Sequence, residues 1–550
     1  MKQGRRTQLA QVLGWLLYVL PSLGFGQQSV LTKPLTAALK AVSARKFEAH
    51  VRCLADDRLQ GRAPGTPGYQ LAADYVAAQL RQLGVAPAGD NGTYLQAVRL
   101  RRATVEPGAT LRLLPPQGPA ETLAYGSDFT LYPSPQETAA QVQAPLAFAG
   151  FGISVPGYDD YAGLDVRGKV VVLTRLEARQ FPDAVRLYNA DLLTVLRTAV
   201  ARGAVGVLLA AAKPQAKLPD FPRGVTSVLG ADGRVAVSRS HVGGTLQLVG
   251  SIGAATLQRL LVATGTDTTR TYAALRQGRP APTALNGQLQ AAWRSRHHDF
   301  TSYNVLGCIE GRDAQLRQEY VVHTAHLDHL GIGTAVRGDS IYNGAHDNAT
   351  GVASLLEIAR AYQRLDLKPR RSVLLAAVTG EELGLLGSAY LAQFPPVPKA
   401  SLVADINTDM PTIIAPLLSV VALGAENSSL AGPVAEAAAA LGVAVEPDPE
   451  PRQNRFVRSD QYSFVAQGIP AVHLKYGNRT PDGRHNLAER VQQWRAATYH
   501  QPQDDLSGTF DWQAGRKYAQ LNFLLGYLVA DNPQRPTWNA GNFFGEIGKR

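Results

Sequence analysis

Two adjacent glutamates, Glu381 and Glu382, follow the apolar run "VLLAAV" in the segment "TGEELGLLGS" at residues 379–388. Neighbouring carboxylates repel each other unless a cation lies nearby or the two side chains have different tasks. A metal ion would provide the cation, with one glutamate as its ligand and the other as a proton carrier. The pair therefore predicts further metal ligands elsewhere in the chain.

Other histidines and carboxylates occupy comparable positions, at the ends of strand-like apolar runs or at the start of a helix pattern. These candidates are His326 and Asp328 after "QEYVVHTA", Asp347 before "NATGVASLLEIA", Asp409 after "LVADINT", and His500 in "ATYHQPQDD". Because the carboxyl ends of parallel strands meet at one edge of an open α/β sheet, we expect these side chains to converge. Nitrogen and oxygen ligands without thiolate favour zinc, or less commonly manganese or cobalt, in a catalytic site.

The number of candidate ligands suits two metal ions better than one. If one carboxylate bridges the ions, five ligands give each ion three protein contacts; the five are His326, Asp347, Glu382, Asp409 and His500. Two ions at about 3.5–4 Å can share a bridging hydroxide and polarise a carbonyl beside it. Glu381 is then free to take a proton from water as a general base and pass it to a leaving amine.

The elements that must position these residues alternate between apolar strands and amphipathic helices. Helix-type spacing occurs in "GYQLAADYVAAQLRQLGV" and "DNATGVASLLEIARAYQRL", and this alternation predicts an α/β fold with a doubly wound, mostly parallel sheet. Short apolar strands separated by Gly and Pro predict a β-rich insert, and "QAAWRSRHHDFTS" is predicted to be a linker after it. The predicted divisions are a signal peptide at 1–26, a catalytic domain at 41–126 and 298–532, the insert at 127–290, and a tail at 533–550.

The leader, the charge and the cysteines restrict the class of protein. A basic start, an apolar run and small residues predict a cleaved signal peptide and hence a secreted or periplasmic location, while Pro21 and the short run argue against a membrane span. The net charge of +11 over 550 residues is scattered without aromatic platforms, so nucleic-acid binding is not predicted. The chain has only two cysteines, Cys53 and Cys308, which are too few for a disulfide scaffold. They are either two unpaired buried thiols or the two halves of one disulfide bridge.

Seven ordered motifs resemble the M28 family of zinc aminopeptidases and span nearly all of residues 44 to 530. They are "LADDRLQGRAPGTPGYQLAADYVAAQLRQLGVAPAG", "AHLDHLG", "NGAHDNATGVASLLEIA", "TGEELGLLGS", "NTDM", "RSDQYSFVAQGIPAV" and "YHQPQDD". The insert, with "FAGFGISVPGYDDYAGLDVRGKVVVLTR", looks like the protease-associated (PA) domain that many members carry. The resemblance implies a sheet of the zinc-exopeptidase type with an inserted PA domain.

The resemblance also implies a role for each matching residue. One of two zinc ions would be held by His326 and Asp409 and the other by Glu382 and His500, with Asp347 as the bridge. Further implied features are a hydrogen bond from Asp328 to a ligand imidazole, polarisation of the scissile carbonyl by Tyr499, and a cis peptide after Asp347. The chain departs from many members at His346 and Gln461, which are not expected ligands.

These features predict a zinc-dependent aminopeptidase that binds two Zn²⁺ ions per chain and removes N-terminal residues from peptide substrates. Two alternatives keep the fold but change the reaction, namely a glutaminyl cyclase, which in this fold works with one zinc ion, and a carboxypeptidase that acts on acidic C-terminal residues. The arginines in "PRQNRFVRSD" keep the carboxypeptidase open, because a terminal carboxylate needs such partners. A third alternative is a receptor-like ectodomain without catalysis, against which the complete ligand set argues.

Overall fold

A computed structural model describes residues 30–547 apart from 176, 177, 179, 214 and 454, so the predicted signal peptide lies outside the described residues. The α-helices are α1 (Lys33–Ala41), α2 (Ala44–Leu54), α3 (Pro67–Gln82), α4 (Asp183–Ala190), α5 (Leu192–Val200), α6 (Ala254–Ala263), α7 (Thr268–Arg276), α8 (Thr350–Arg364), α9 (Leu386–Gln393), α10 (Ala431–Ala440), α11 (Gln461–Val465), α12 (Leu487–Thr498), α13 (Trp512–Asp531) and α14 (Phe543–Ile547). Within this part of the chain, no helix combines the length and hydropathy needed to cross a bilayer.

The strands form two large sheets and two small ribbons. They are β1 (Ala86–Pro87), β2 (Leu95–Val105), β3 (Thr110–Leu114), β4 (Glu121–Leu123), β5 (Phe129–Leu131), β6 (Ala139–Phe148), β7 (Ser154–Val155), β8 (Tyr158–Asp159), β9 (Val170–Thr174), β10 (Gly206–Ala210), β11 (Val225–Leu229), β12 (Val235–Ser238), β13 (Leu248–Ile252), β14 (Thr283–Ile309), β15 (Tyr320–His326), β16 (Gly331–Val336), β17 (Asp339–Tyr342), β18 (Ser372–Val378), β19 (Leu402–Asn407), β20 (Ser419–Leu423), β21 (Ala444–Glu446) and β22 (Ala471–Tyr476).

The first sheet has the order β21-β20-β22-β19-β15-β18-β14-β2-β11-β12. Its centre, β22-β19-β15-β18, is parallel, and antiparallel strands flank it on both sides. All seven positions of β18 are buried, as expected for a central strand with helices on both faces. The prediction of a doubly wound, mostly parallel α/β sheet is confirmed.

Helices cover both faces of this sheet. On one face α1, α2, α3, α8 and α13 contribute to a single hydrophobic core with the inward side chains of the strands. On the other face α9 and α11 pack beside a second core. Helix α3 begins where the sequence predicts, because Thr66 caps it by accepting a hydrogen bond from the Tyr69 backbone N–H at 3.3 Å and Pro67 occupies the first turn.

The second sheet has the order β4-β3-β14-β6-β9-β10-β13-β5 and a hydrophobic core on each of its faces. Strands β3, β4 and β5 pair within this sheet, so the predicted boundary between residues 126 and 127 falls between two of its strands. The division of the chain into domains stays a prediction. Its physical basis is visible, however, because each sheet has its own buried core.

The segment predicted as a linker, residues 290–302, is instead part of β14, which runs through both sheets. Alternate residues Ala291, Trp293 and Ser295 are buried, which is the period of a strand. Arg294, Arg296 and His298 alternate with them and are exposed. Asp299 is also exposed and accepts a hydrogen bond from Arg101 Nε of the neighbouring strand β2 at 2.7 Å. The polar composition therefore reflects one exposed face rather than an irregular segment.

The β11–β12 hairpin touches the loop that carries the two glutamates. Val228 and Val237 of the hairpin share a small hydrophobic core with Leu386, the first residue of α9. Arg239, directly after β12, packs over Gly384, where a Cβ would lie 2.8 Å from Arg239 Cγ. The β11–β12 end of the first sheet is thus in direct contact with the segment that follows β18.

Both cysteines are free thiols. Burial raises the pKa of the Cys308 thiol to about 11 and also raises that of Cys53. Of the two alternatives left by the sequence, unpaired thiols are the one observed in the structure.

Candidate metal centre

The predicted ligands lie at the carboxyl ends of three adjacent parallel strands. His326 is the last residue of β15, the glutamate pair begins three residues after β18, and Asp409 comes two residues after β19. Because β15 pairs with β18 on one side and β19 on the other, these strand ends are neighbours. Asp347 reaches the same edge from the loop before α8.

Five predicted ligands form two groups that share Asp347. In the first group, His326 Nε2 lies 3.3 Å from Asp347 Oδ1 and 3.4 Å from Asp409 Oδ1. In the second, His500 Nε2 lies 3.3 Å from Asp347 Oδ2 and 3.3 Å from Glu382 Oε2. The two oxygens of Asp347 therefore face different groups, which is the arrangement expected of a bridging carboxylate.

These separations fit a metal ion. Two ligand atoms at about 2.0–2.1 Å from a tetrahedral zinc ion lie about 3.3 Å apart, and the four measured separations are 3.3 or 3.4 Å. His326, Asp347 and Asp409 also form a recognisable metal-ligand group in the described residues. Glu382 Oε1 and His329 Nδ1 are buried 2.7 Å apart, yet neither forms a well-aligned hydrogen bond among the described residues, as expected of two atoms that face a shared cation.

His329, for which no role was predicted, also lies beside the candidate ligands. Its Nδ1 lies 2.7 Å from Glu382 Oε1 and 4.0 Å from Asp347 Oδ2, and these three residues form a second possible metal-ligand group. The ring is buried, and neither nitrogen has a hydrogen bond among the described residues. The signal that could have identified it is its position in "AHLDHLG", three residues after His326.

Asp328 acts differently from the expectation. His326 Nδ1 lies 3.1 Å from the backbone carbonyl oxygen of Asp328 but 4.0 Å from its carboxylate. The carboxylate instead accepts hydrogen bonds from the backbone N–H groups of Glu381 and Glu382 at 3.2 and 3.3 Å. Burial raises the pKa of Asp328 to about 6. One residue thus orients the imidazole through its backbone and the glutamate loop through its side chain.

The charge distribution differs between the two glutamates. Burial and the carboxylates of Glu382, Asp409 and Asp460 raise the pKa of Glu381 well above its usual value, against the opposing effect of His326. Burial also raises the pKa of Glu382, but contacts with His329 and His500 outweigh it and lower that pKa. Glu382 is therefore the more stable anion, and Glu381 has the higher affinity for a proton.

The predicted catalytic tyrosine stacks on a predicted ligand. The Tyr499 and His500 rings have centroids 3.9 Å apart, and the Arg495 guanidinium lies 3.8 Å from the Tyr499 centroid. Burial raises the pKa of Tyr499, so its hydroxyl stays protonated and able to donate. Its action on a substrate carbonyl stays a prediction.

Arg62, from the early motif "QGRAPG", holds the backbone of two of the ligand loops through hydrogen bonds. Its side chain is 1% exposed and donates to the backbone carbonyls of Leu327, Leu54, Asn343 and Gly344. Leu327 follows a predicted ligand directly, and Gly344 precedes Asp347 by three residues. No pattern in the sequence indicates this role of Arg62, because the acceptors are backbone carbonyls that any residue could provide.

Asp504 and Asn348 hold the loop that carries the shared carboxylate. The Asp504 carboxylate accepts hydrogen bonds from the backbone N–H groups of His346 and Asp347, both at 2.9 Å. Asn348 donates to the Thr408 carbonyl at 3.0 Å and so connects this loop to the one bearing Asp409. The predicted cis peptide bond between Asp347 and Asn348 is confirmed.

The fold and the site together define an α/β protein with candidate metal ligands gathered at the carboxyl edge of a mostly parallel sheet. Residues 304–525 match the profile of peptidase family M28, so the chain carries an M28 peptidase domain. This segment contains all eight residues predicted for the site. The predicted resemblance to family M28 is thereby confirmed for this part of the chain, whereas the PA-domain insert stays a prediction.

Three known proteins illustrate the similarity. Leupeptin-inactivating enzyme 1 of Streptomyces exfoliatus is 27% identical over 253 residues, which is 43% of this chain and 50% of that protein. A probable zinc metalloprotease of Pyrenophora tritici-repentis is 38% identical over 93 residues, 17% of this chain and 18% of that protein. The chain thus spans half or less of these two relatives. The structure of an aminopeptidase from Aneurinibacillus sp. strain AM-1 aligns with 91% of this chain and 97% of its own at 18% identity, with a TM-score of 0.48.

Proposed function

We propose that the chain is a zinc-dependent aminopeptidase that uses two metal ions and a glutamate general base to remove N-terminal residues from peptides. The observation that carries this proposal is the pair of ligand groups sharing Asp347, with His326 and Asp409 on one side and His500 and Glu382 on the other. The similarity to the probable zinc metalloprotease of Pyrenophora tritici-repentis supports the choice of metal.

Zinc ions bound there would supply Lewis acidity and a water molecule of lowered pKa. The protein's own residues supply the proton transfer, in which a Glu381 carboxylate oxygen accepts a proton from the attacking water and later donates it to the leaving amine. Contact with the Asp328 backbone carbonyl fixes the His326 ring, so Nε2 is left to face the two carboxylates of its group. The Asp328 carboxylate holds the backbone of the glutamate pair.

We further propose that the protein is exported to the periplasm or secreted, on the strength of its leader sequence. Cell fractionation tests this proposal directly. Recovery of the mature protein from the periplasm or medium, with its amino terminus near residue 27, is expected. Recovery of the uncleaved chain in the cytoplasm contradicts it.

A panel of substrates with and without a chelator tests the proposed reaction. Amino-acid p-nitroanilides should be hydrolysed, whereas their N-acetylated forms should not. A chelator should abolish turnover, and added zinc should restore it. Metal analysis of the fully active protein should give two zinc ions per chain. One ion at full activity removes the two-metal proposal, and a chelator-resistant turnover removes the metal-dependent reaction altogether.

The same panel separates the proposed function from its alternatives. A carboxypeptidase would release C-terminal residues from N-acetylated peptides, and a glutaminyl cyclase would convert N-terminal glutamine without releasing an amino acid. A protein that binds peptides but leaves every substrate intact would indicate the receptor-like alternative.

A further inference from the structure

A lysine borders the metal centre beside Asp409. Lys475, the penultimate residue of strand β22, donates a hydrogen bond from Nζ to the backbone carbonyl of Asp409 at 2.7 Å. That carbonyl also lies 2.9 Å from His473 Nε2, so Lys475 is not its sole partner. An ammonium group has three N–H donors, and this contact occupies one of them. Lys475 is partly exposed, and no second hydrogen bond from its Nζ occurs among the described residues.

An arginine borders the same centre on the side of the Tyr499–His500 pair. The Arg495 guanidinium stacks over the Tyr499 ring at 3.8 Å and approaches Met410 Sδ to 3.7 Å. Met410 directly follows Asp409 and Tyr499 directly precedes His500, so Arg495 contacts a sequence neighbour of one ligand from each group. Cation–π contact leaves the edge of the guanidinium and most of its donors free.

Neither cation forms an ion pair within the part of the chain that the structure describes. Arg455, the third cation nearby, differs because Asp448 and Glu450 pair with it. The acidic groups that face Lys475 are Asp409 and Asp347, both predicted metal ligands, and the cations that face it are Arg495 and Arg455. With the ligand carboxylates engaged by metal, Lys475 and Arg495 would be positive charges without an anionic partner among the described residues.

We propose that Lys475 and Arg495 form a carboxylate-binding rim that makes the site prefer substrates with a negatively charged group next to the bond that is cleaved. This inference rests on the proposed function, because it names the substrate class of the same site. The carboxylate has two possible sources: the side chain of an N-terminal Asp or Glu, or the free carboxyl end of a very short peptide. Charge-assisted hydrogen bonds of this kind are the strong ones in proteins.

Isosteric substrates measure the preference. Glutamyl and glutaminyl p-nitroanilide differ only in the side-chain charge, and leucyl-alanine and leucyl-alaninamide differ only in the terminal charge. We expect kcat/KM to favour the charged member of at least one pair by about tenfold or more, the usual effect of one charged hydrogen bond. The pair that shows the preference identifies the source of the carboxylate. A ratio near one in both pairs overturns the proposal.

Variants separate recognition from a structural role. Lys475→Gln and Arg495→Gln should each lower the charged-to-neutral ratio about tenfold, whereas Lys475→Arg, which keeps the charge, should restore most of it. Lys399→Gln, at the opposite end of β19 and exposed, is the matched control and should leave the ratio unchanged. If Lys475→Gln and Arg495→Gln slow both members of a pair equally, the two cations only support the fold and the proposal is overturned.

A binding measurement keeps the test independent of turnover. Calorimetric titration of the zinc-loaded Glu381→Gln variant, which should bind but not hydrolyse, with the same two substrate pairs compares a charged and a neutral ligand of equal shape. Affinity should favour the charged member of the pair that shows the kinetic preference, and adding Lys475→Gln should remove that difference. If the wild-type protein hydrolyses no substrate, the proposed function fails while the binding series still decides the inference; equal affinities within both pairs overturn it.

Discussion

Arg62 Nε donates a hydrogen bond at 2.9 Å to the backbone carbonyl of Leu327, a residue 265 positions further along the chain. The same guanidinium reaches the loop before Asp347 through Gly344. The Arg62 side chain thus holds the backbone next to two members of the first ligand group, directly after His326 and three residues before Asp347. The early motif "QGRAPG" thus supports the backbone around the candidate metal ligands, although it provides no ligand itself.

Replacement of Arg62 by methionine should destabilise the protein and loosen the centre. Several buried carbonyls would lose their donor, and each unsatisfied group costs about 1–3 kcal/mol, so a loss of about 3 kcal/mol or more is expected. Denaturant unfolding and zinc titration measure the two effects. Arg58→Met is the matched control, because Arg58 lies in the same segment with a side chain that is 82% exposed. Equal stability of the two variants would show that the buried contacts are dispensable.

Glu381→Gln and Glu382→Gln should fail in different ways. Glutamine at 381 cannot accept a proton, so turnover should fall about a hundredfold to ten-thousandfold with metal content unchanged. Glutamine at 382 replaces an anionic ligand by a neutral one and should weaken one zinc ion while the group of His326, Asp347 and Asp409 keeps the other. Steady-state kinetics and metal analysis distinguish them. Loss of zinc from the 381 variant alone would reverse the assignment.

Asp504→Asn should reduce metal affinity without unfolding the chain. The asparagine keeps one acceptor oxygen but cannot serve both backbone N–H groups of His346 and Asp347. Loss of such a supporting partner commonly weakens metal binding about tenfold to a hundredfold. Competition with a zinc chelator measures the change, and Asp505→Asn is the neighbouring control, because its carboxylate contacts only Ser507. Unchanged affinity in the 504 variant would mean that the loop holds its own shape.

Arg239→Ala tests whether the β11–β12 hairpin supports the glutamate loop. Arg239 packs over Gly384 and pairs with Asp191 at 2.6 Å, so its removal frees the backbone two residues after Glu382. We expect kcat to fall about tenfold with zinc content unchanged, since small displacements of catalytic groups are costly. Arg234→Ala, an exposed change at the other end of β12, should keep wild-type kcat. A normal kcat in both variants would show that this contact does not affect catalysis.

The sequence predicted the five ligands because each belongs to a local pattern. An apolar run that ends in His326 or Asp409 identifies a buried strand and its polar end without reference to distant residues. The parallel sheet follows from the alternation of such strands with helices, and adjacent parallel strands bring their ends together. The convergence of the ligands was therefore predictable, although the distances between their atoms were not.

Tertiary structure alone decided how these ligands are held. The contacts of Arg62, Asp504 and the Asp328 carboxylate are made to backbone groups, which carry no residue identity and so leave no pattern in the sequence. The polar segment at 290–302 becomes a strand because β2 and β6 pair with it, which composition does not indicate. Local patterns thus determined which residues form the site, whereas long-range hydrogen bonds decided their orientation, because those bonds join parts of the chain that are distant in sequence.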